Sequence, residues 1–365
     1  MSLLELRNIS MSFEKKGKFL EANKEIKVLR NIDLTIETGE IVVLVGESGC
    51  GKTTIGKIIT GLLRPTQGQL FFNGKDIYKS ALWKTIEGGK RLLKKETPEQ
   101  KAQRKQQEQE RAKQLAEFEN SVQFVQQDSY AALNPARTIY QSLYAPIQNK
   151  YPQWEKEKVE ERIEEVMGLV GLLPSELYLF KFPHQLSGGQ RQRILMARAI
   201  SLDPKLIVAD EPVSMIDVSL RLSILDLMKK LNEKLGIAFI YITHDLSTAR
   251  YIGQNGRICI MYLGEIVELG GVEKVIANPK HPYTQALLSA VPMPDPVMAR
   301  QSRQITLKSM DVGNLLERKE GCPFYDRCVY AHPECEHQPP QYVESNGALV
   351  KCSHLSEVPV WESRV

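Results

Sequence analysis

The chain has 365 residues, 42% hydrophobic and 25% charged, with a net charge of +4. Such a composition describes a globular protein with room for about two domains, and so small a charge gives no argument for nucleic-acid binding. The longest apolar runs, such as 206–209 and 237–242, fall far short of a bilayer span of ~20 residues. The N-terminus carries no apolar core of signal-peptide length. A soluble, cytoplasmic chain is expected, one that reaches a membrane only through partner subunits.

In chain order, residues 1–13 and 28–45 read as strands, the second ending in Ile41-Val42-Val43-Leu44-Val45. Residues 68–78 read as a strand pair turned at Asn73-Gly74. From about 80 to 120 the composition changes to Lys, Glu, Gln and Arg, which predicts a polar insertion of one or two solvated helices, interrupted near Pro98. A helical stretch at about 155–200 leads to the buried strand Leu206-Ile207-Val208-Ala209. Helix 218–235, strand 237–243 and a β segment at 256–268 then complete an alternating pattern, hence a mainly parallel sheet. From about Val275 the chain becomes Pro-rich and runs into a Cys-rich tail, expected to form a separate small domain.

Chemistry concentrates at the junctions. Gly46-Glu47-Ser48-Gly49-Cys50-Gly51-Lys52-Thr53-Thr54 matches the P-loop pattern, after a strand and before a helix-like run. Its Gly residues let backbone N–H groups surround a β-phosphate, Lys52 would reach the β/γ oxygens and the Thr53 hydroxyl would ligate Mg²⁺. Cys50 fits as a small residue with a usable amide. The buried strand at 206–209 ends in Asp210, a candidate Mg²⁺ ligand, and Glu211, a candidate general base for an attacking water. Leu186-Ser187-Gly188-Gly189-Gln190 puts Ser at a helix start, with two Gly that let backbone approach a ligand, and so makes an anion site suited to a γ-phosphate. Phe13, near the end of the first strand, could stack on an adenine base, with Phe19 a competitor.

In the order P-loop, Gln127, LSGGQ, Asp210-Glu211 and His244, the set resembles the Q-loop, signature, Walker B and H-loop of the ATP-binding cassette (ABC) ATPases. The resemblance implies an α/β P-loop NTPase core: a mixed, mainly parallel sheet, an antiparallel β subdomain and a helical signature subdomain at about 128–200. It implies ATP and Mg²⁺ as ligands. Gln127 would touch Mg²⁺ or water and link the site to a membrane subunit, and His244 would contact the γ-phosphate. Ser187, Gly189 and Gln190 would complete the site of a second cassette. Asp217 falls where the family has its D-loop, although Met215 and Ile216 depart from the usual residues.

Several stretches resemble the oligopeptide/dipeptide/nickel permease branch: Gln127-Asp128 leading into Ala131-Ala132-Leu133-Asn134-Pro135, then Asn278-Pro279-Lys280-His281-Pro282-Tyr283-Thr284, and the tail itself. An ATP-hydrolysing importer subunit is implied, for peptides first and for oligosaccharides or nickel as alternatives. A non-transport ABC ATPase of translation or repair is the rival class; a single cassette with a short insertion argues against it. The implied partners are a second, paralogous ATPase subunit, two transmembrane permease subunits and an extracytoplasmic binding protein, with this chain peripheral on the cytoplasmic face. The division expected is 1–275 for the ATPase and 276–365 for the C-terminal region.

The tail cysteines Cys322, Cys328, Cys335 and Cys352 are spaced C-x5-C-x6-C-x16-C. Four thiolates can hold a tetrahedral Zn²⁺ or the four irons of a cubane cluster. Zinc usually takes closer Cys pairs than either short gap offers, and the branch implies a 4Fe-4S cluster. His332, His337 and His354 could replace a Cys as ligand.

Overall fold

The computed structural model describes residues 2–15, 24–78, 98–291, 305–311, 313, 315 and 320–361. Strands β1 (Ser2–Lys15) and β2 (Lys24–Glu37) pair antiparallel, and β3 (Ile41–Val45) runs into the P-loop and helix α1 (Lys52–Ile59). Strands β4 (Gln67–Phe72) and β5 (Lys75–Asp76) turn at Asn73-Gly74, whose φ values of 49° and 74° give the left-handed pair that a tight hairpin needs. The polar insertion is helical from Pro98, as α2 (Pro98–Ser121), while its first half lies outside the described residues. Pro at the first helical position costs no hydrogen bond, which explains why the helix begins there.

Strand β6 (Val122–Val125) follows, then the short α3 (Ser129–Ala132), α4 (Ile139–Lys150), α5 (Lys156–Leu169), α6 (Glu176–Leu179) and α7 (Gly188–Ile200). In α5 the buried positions Val159, Ile163, Val166 and Met167 keep helical spacing, so this helix packs by one stripe. Strand β7 (Leu206–Asp210), α8 (Val218–Leu235), β8 (Ala238–Thr243), α9 (Leu246–Gly253) and the hairpin β9 (Arg257–Tyr262) and β10 (Glu265–Gly271) continue the alternation. Helices α10 (Val272–Ala277) and α11 (Pro282–Ser289), then strands β11 (Tyr342–Ser345) and β12 (Ala348–Lys351), complete the chain.

The strands form two sheets, a four-stranded one ordered β2-β1-β4-β5 and an eight-stranded one ordered β11-β12-β10-β9-β3-β8-β7-β6. In the larger sheet β9, β3, β8, β7 and β6 run parallel. The central parallel strands β9, β3, β8 and β7 are buried on both faces, so they read as continuous apolar runs. The period of two is nevertheless visible. Val43, Val45, Ile207, Ala209, Phe239 and Tyr241 pack with the helical subdomain, whereas Val42, Leu44, Leu206, Val208, Ile240 and Ile242 pack with α1 and the small sheet.

The Cys-rich tail is joined to this framework, whereas its prolines had suggested a separate unit. Strand β12 pairs with β10 through Glu268–Val350, Leu269–Leu349 and Gly270–Ala348. Phe324, Ala348 and Val350 enter the same core as the parallel strands. Among the described residues no helix is long and apolar enough to cross a membrane.

Candidate active site

The parallel strands β3, β7 and β8 all present their C-terminal ends to one cleft of about 550 Å³. Such an edge of an open α/β sheet is where ligands are held. Ser48, Gly49, Gly51, Lys52, Thr53, Thr54, Gln127, Glu211 and His244 line it, as do Val28 from β2 and Leu315 from the tail.

Gly46 cannot be larger, because a Cβ there would stand 2.3 Å from the Met261 carbonyl oxygen. Gly51, the residue before α1, has φ 105°, a conformation that L side chains rarely adopt. Lys52 is buried, and its Nζ donates to the carbonyls of Gly46 at 2.7 Å and Glu47 at 2.9 Å. The loop thus stores the ammonium beside the space that phosphate oxygens would take. Cys50 packs into the core, where burial pushes its thiol up, and its amide donates to the Glu47 carbonyl at 3.3 Å.

At the end of β7, burial raises the pKa of Asp210, with a hydrogen bond from Thr53 opposing the shift. The pair that would hold a divalent cation is therefore already in contact. The next residue, Glu211, adopts φ 44°, a left-handed conformation unusual outside Gly and Asn. Its carboxylate accepts from Gln127 Nε2 at 3.0 Å and faces His244 Nδ1 at 3.0 Å. Two residues, each following a different strand, thus converge on a carboxylate at the end of a third. The arrangement can hold a water beside a phosphoryl group and take its proton.

Ser187, Gly189, Gln190 and Asp217 stand apart from this cleft. Ser187 caps α7, with Ser187 Oγ accepting from Gln190 N–H at 3.3 Å and Gln190 Oε1 accepting from Ser187 N–H at 2.9 Å. A Cβ on Gly189 would come within 3.3 Å of Leu220, and one on Gly188 within 3.5 Å of the Met215 carbonyl. The signature helix and the segment before α8 therefore form one surface, on which Met215 and Val218 are exposed.

Phe13 is half-exposed on β1, opposite Ile26, and is not part of the cleft. Phe19 lies outside the described residues.

Several contacts were not foreseen. The Arg191 guanidinium stacks 3.5 Å over the Tyr130 ring and donates to the Leu186 carbonyl, which ties the signature to the helix after Gln127. Its place in a basic helical run was the available signal. Tyr283 and Arg327 both reach Glu47 in the P-loop. Those residues lie far apart in sequence, and no local pattern relates them.

Cys322, Cys328, Cys335 and Cys352 line one pocket, with His281, Phe324 and His354 beside them, and all four are free thiols. Burial pushes Cys322 up to about 12 and Cys328 up to about 11, and the neighbouring thiols add to both shifts. Tetrahedral ligands at the ~2.3 Å Zn–S distance lie about 3.8 Å from one another. Among the described residues the set of three candidate ligand atoms within 4.8 Å of one another is His332, His354 and Glu357, not three thiols. Four free thiols lining one pocket are a donor set that suits a thiolate-bound metal centre. His332 and His354 stack at 3.9 Å, and each faces an oxygen of Glu357.

Comparison with known proteins gives two family matches. A family described as "ABC transporter" matches residues 29–214, and one described as "Oligopeptide/dipeptide transporter, C-terminal region" matches residues 267–335. The oligopeptide transport ATP-binding protein OppF of Salmonella typhimurium is 36% identical over 355 residues, covering 96% of this chain and 95% of that protein. AppF of Bacillus subtilis, also an oligopeptide transport ATP-binding protein, is 36% identical, covering 97% of each. Among solved structures, the dimeric bacterial ABC transporter cassette MJ0796 superposes with a TM-score of 0.57 at 27% identity, over 74% of this chain and 98% of that one.

Proposed function

This chain belongs to the ABC transporter family, and from that premise we propose that it is the ATP-hydrolysing subunit of an importer for oligopeptides or dipeptides. The ATPase activity follows from the family and from relatives that are ATP-binding subunits of peptide transporters. The observation that carries the reading is the convergence of Gln127 and His244 on Glu211 beside the P-loop, in a cleft that Ser187 and Gly189 do not line. One chain therefore supplies half of two sites.

In this mechanism Lys52 moves from the Gly46 and Glu47 carbonyls onto the β- and γ-phosphates. Thr53 and Asp210 would hold Mg²⁺, which would offset the charge of the phosphates, and Gln127 would reach the metal or its water. Glu211 takes the proton of the attacking water, and His244 orients that water against the γ-phosphate. Ser187, Gly189 and Gln190 close over the nucleotide of a partner cassette, with Asp217 beside them. Phe13, exposed on β1, would stack on the base of ATP beyond the cleft's own lining, where Val28 offers a second apolar contact.

Residues 1–275 are the catalytic unit, with the helical part at about 128–200 transmitting closure to permease subunits near Gln127. Residues 276–365 act as a distinct functional region, even though β11 and β12 extend the shared sheet. The assembly comprises this chain, a paralogous ATPase subunit, two permease subunits and an extracytoplasmic binding protein, with the chain on the cytoplasmic face. Co-purification with membrane subunits, followed by mass spectrometry of the ligand on the binding protein, tests the substrate class. Recovery of a nickel complex or an oligosaccharide instead of peptide would replace that part of the reading.

Cys322, Cys328, Cys335 and Cys352 would ligate a 4Fe-4S cluster, which supplies a redox-sensitive cross-link between the tail's turns. The sequence gaps between the cysteines, wider than the close Cys pairs that zinc usually takes, support it over zinc. Anaerobically purified protein should be brown and carry iron in proportion to protein. A colourless, zinc-loaded protein would overturn this assignment.

A further inference from the structure

Hydrogen bonds from the C-terminal region reach the phosphate-binding loop at Glu47. Glu47, the second residue of the P-loop, is held at each of its polar groups. Its backbone N–H donates to the Tyr283 hydroxyl at 3.0 Å, and its carbonyl accepts from Lys52 Nζ at 2.9 Å. Its two carboxylate oxygens accept from Arg327 Nη1 at 3.1 and 2.9 Å.

Arg327 directly precedes Cys328 and is only 7% exposed. Its guanidinium lies 5.7 Å from the ring centres of Tyr262 and Phe324, and Nη1 also donates to Tyr262 Oη at 3.4 Å. Its own backbone is fixed on both sides, the N–H donating to the Phe324 carbonyl and the carbonyl accepting from Lys308 N–H, each at 3.0 Å. The turn that carries it is closed by Cys328 N–H donating to the Phe324 carbonyl at 2.9 Å. Cys322 N–H, donating to the Cys335 carbonyl at 2.7 Å, ties the turn to the next cysteine.

We propose that Arg327 is a positioning residue for the phosphate-binding loop, and that through Glu47 it makes nucleotide affinity depend on the order of the four-thiol turn. An exposed ion pair would do little. Here the cation is desolvated against two aromatic rings and its backbone is tied to the thiol turn, so it cannot follow Glu47 if the loop shifts, nor exchange it freely for water. Glu47 in turn supplies one of the two carbonyls that hold Lys52, so its orientation sets where the ammonium waits. Tyr283, on the helix that opens the C-terminal region, fastens the same residue from a second direction. This inference rests on the reading of the cleft as an ATP site.

The test is a two-by-two cycle of Arg327→Met and Glu47→Gln in the full chain. It is read by the Kd for MgATP from calorimetric titration, with melting temperature and bound iron measured on the same samples. Taking a value within the usual range for coupled sites, each single variant should weaken MgATP binding about tenfold, and the double variant should be no weaker than either. KM for ATP should rise with that loss while kcat at saturation stays within about twofold. Cys352→Ser, which removes a thiol remote from the pair, should weaken MgATP binding in the wild-type background and leave Arg327→Met unchanged. Wild-type affinity in both single variants would overturn the proposal. So would losses that multiply in the double variant, or a Cys352→Ser effect equal in both backgrounds. Should Arg327→Met fail to fold, Glu47→Gln breaks the same pair from the cassette side and carries the same expectation. If the wild type itself binds no MgATP, the ATP reading fails, and not the Arg327–Glu47 coupling alone.

Discussion

Replacing Glu211 with Gln separates nucleotide binding from chemistry. The carboxylate accepts from Gln127 Nε2 and faces His244 Nδ1, both at 3.0 Å. An amide can keep both contacts, turning its oxygen to Gln127 and its NH₂ to His244, provided the imidazole carries its proton on Nε2. Stability should then change by no more than about 0.5 kcal/mol, since nothing buried is lost. Catalysis should change far more, because a positioned base contributes roughly 10²–10⁴-fold, equivalent to about 3–5 kcal/mol of barrier. Phosphate release against MgATP concentration, with nucleotide binding and light scattering on the same preparations, measures each quantity. Turnover should fall by that factor while MgATP binding holds and the closed pair of cassettes accumulates. Hydrolysis at the wild-type rate would refute Glu211 as the base and the geometric argument that selects it.

Two further outcomes follow from contacts outside the chemistry. His281 is buried, its Nδ1 accepts from Tyr283 N–H at 3.1 Å to cap α11, and burial holds its pKa down to about 3 from 6.5. A base depressed by folding contributes stability above its unfolded value and loses it as pH falls from 6.5 toward 3; the slope is at most about 1.4 kcal/mol per pH unit. Burial raises the pKa of the adjoining Glu268 carboxyl, which offsets part of that loss on acidification. His281→Asn keeps a capping side chain without the titration, so urea midpoints should fall less steeply below pH 6.5 than in the wild type; parallel slopes would contradict this. Ser187→Arg should leave MgATP binding to the isolated chain intact, at a cost of about 1 kcal/mol for the lost cap, and abolish turnover in the assembled transporter. Loss of MgATP binding in the isolated chain would show instead that Ser187 serves its own cleft.

The candidate site residues were legible as a set because each sits at a strand end or helix start whose local pattern marks it. Lys52 follows a Gly-rich turn after a β-branched run, and Asp210 and Glu211 end an apolar strand. Their convergence was legible only through the order of motifs, since Gln127 and Glu211 are 84 residues apart. The left-handed backbone of Glu211 left no mark in composition. Nor did the pairing of β12 with β10, because a register such as Leu269–Leu349 depends on the folded sheet edge and on nothing local to either strand. The tail's prolines mark a real change of character, yet a chain can turn Pro-rich and still return to its own sheet. Arg327 lay within a stretch conspicuous for its cysteines, and its partner Glu47 lies 280 residues away.

The central claim is that ATP hydrolysis at this cleft drives peptide across a membrane. Its most direct test is uptake of a labelled oligopeptide by liposomes that contain this chain, the second ATPase subunit proposed above and the permease subunits, with the binding protein outside and MgATP within. The account predicts accumulation that requires ATP, is stimulated by peptide-loaded binding protein, and vanishes with Glu211→Gln. Equal accumulation with the variant or without ATP would contradict it, as would ATP hydrolysis that ignores the loaded binding protein and moves no peptide.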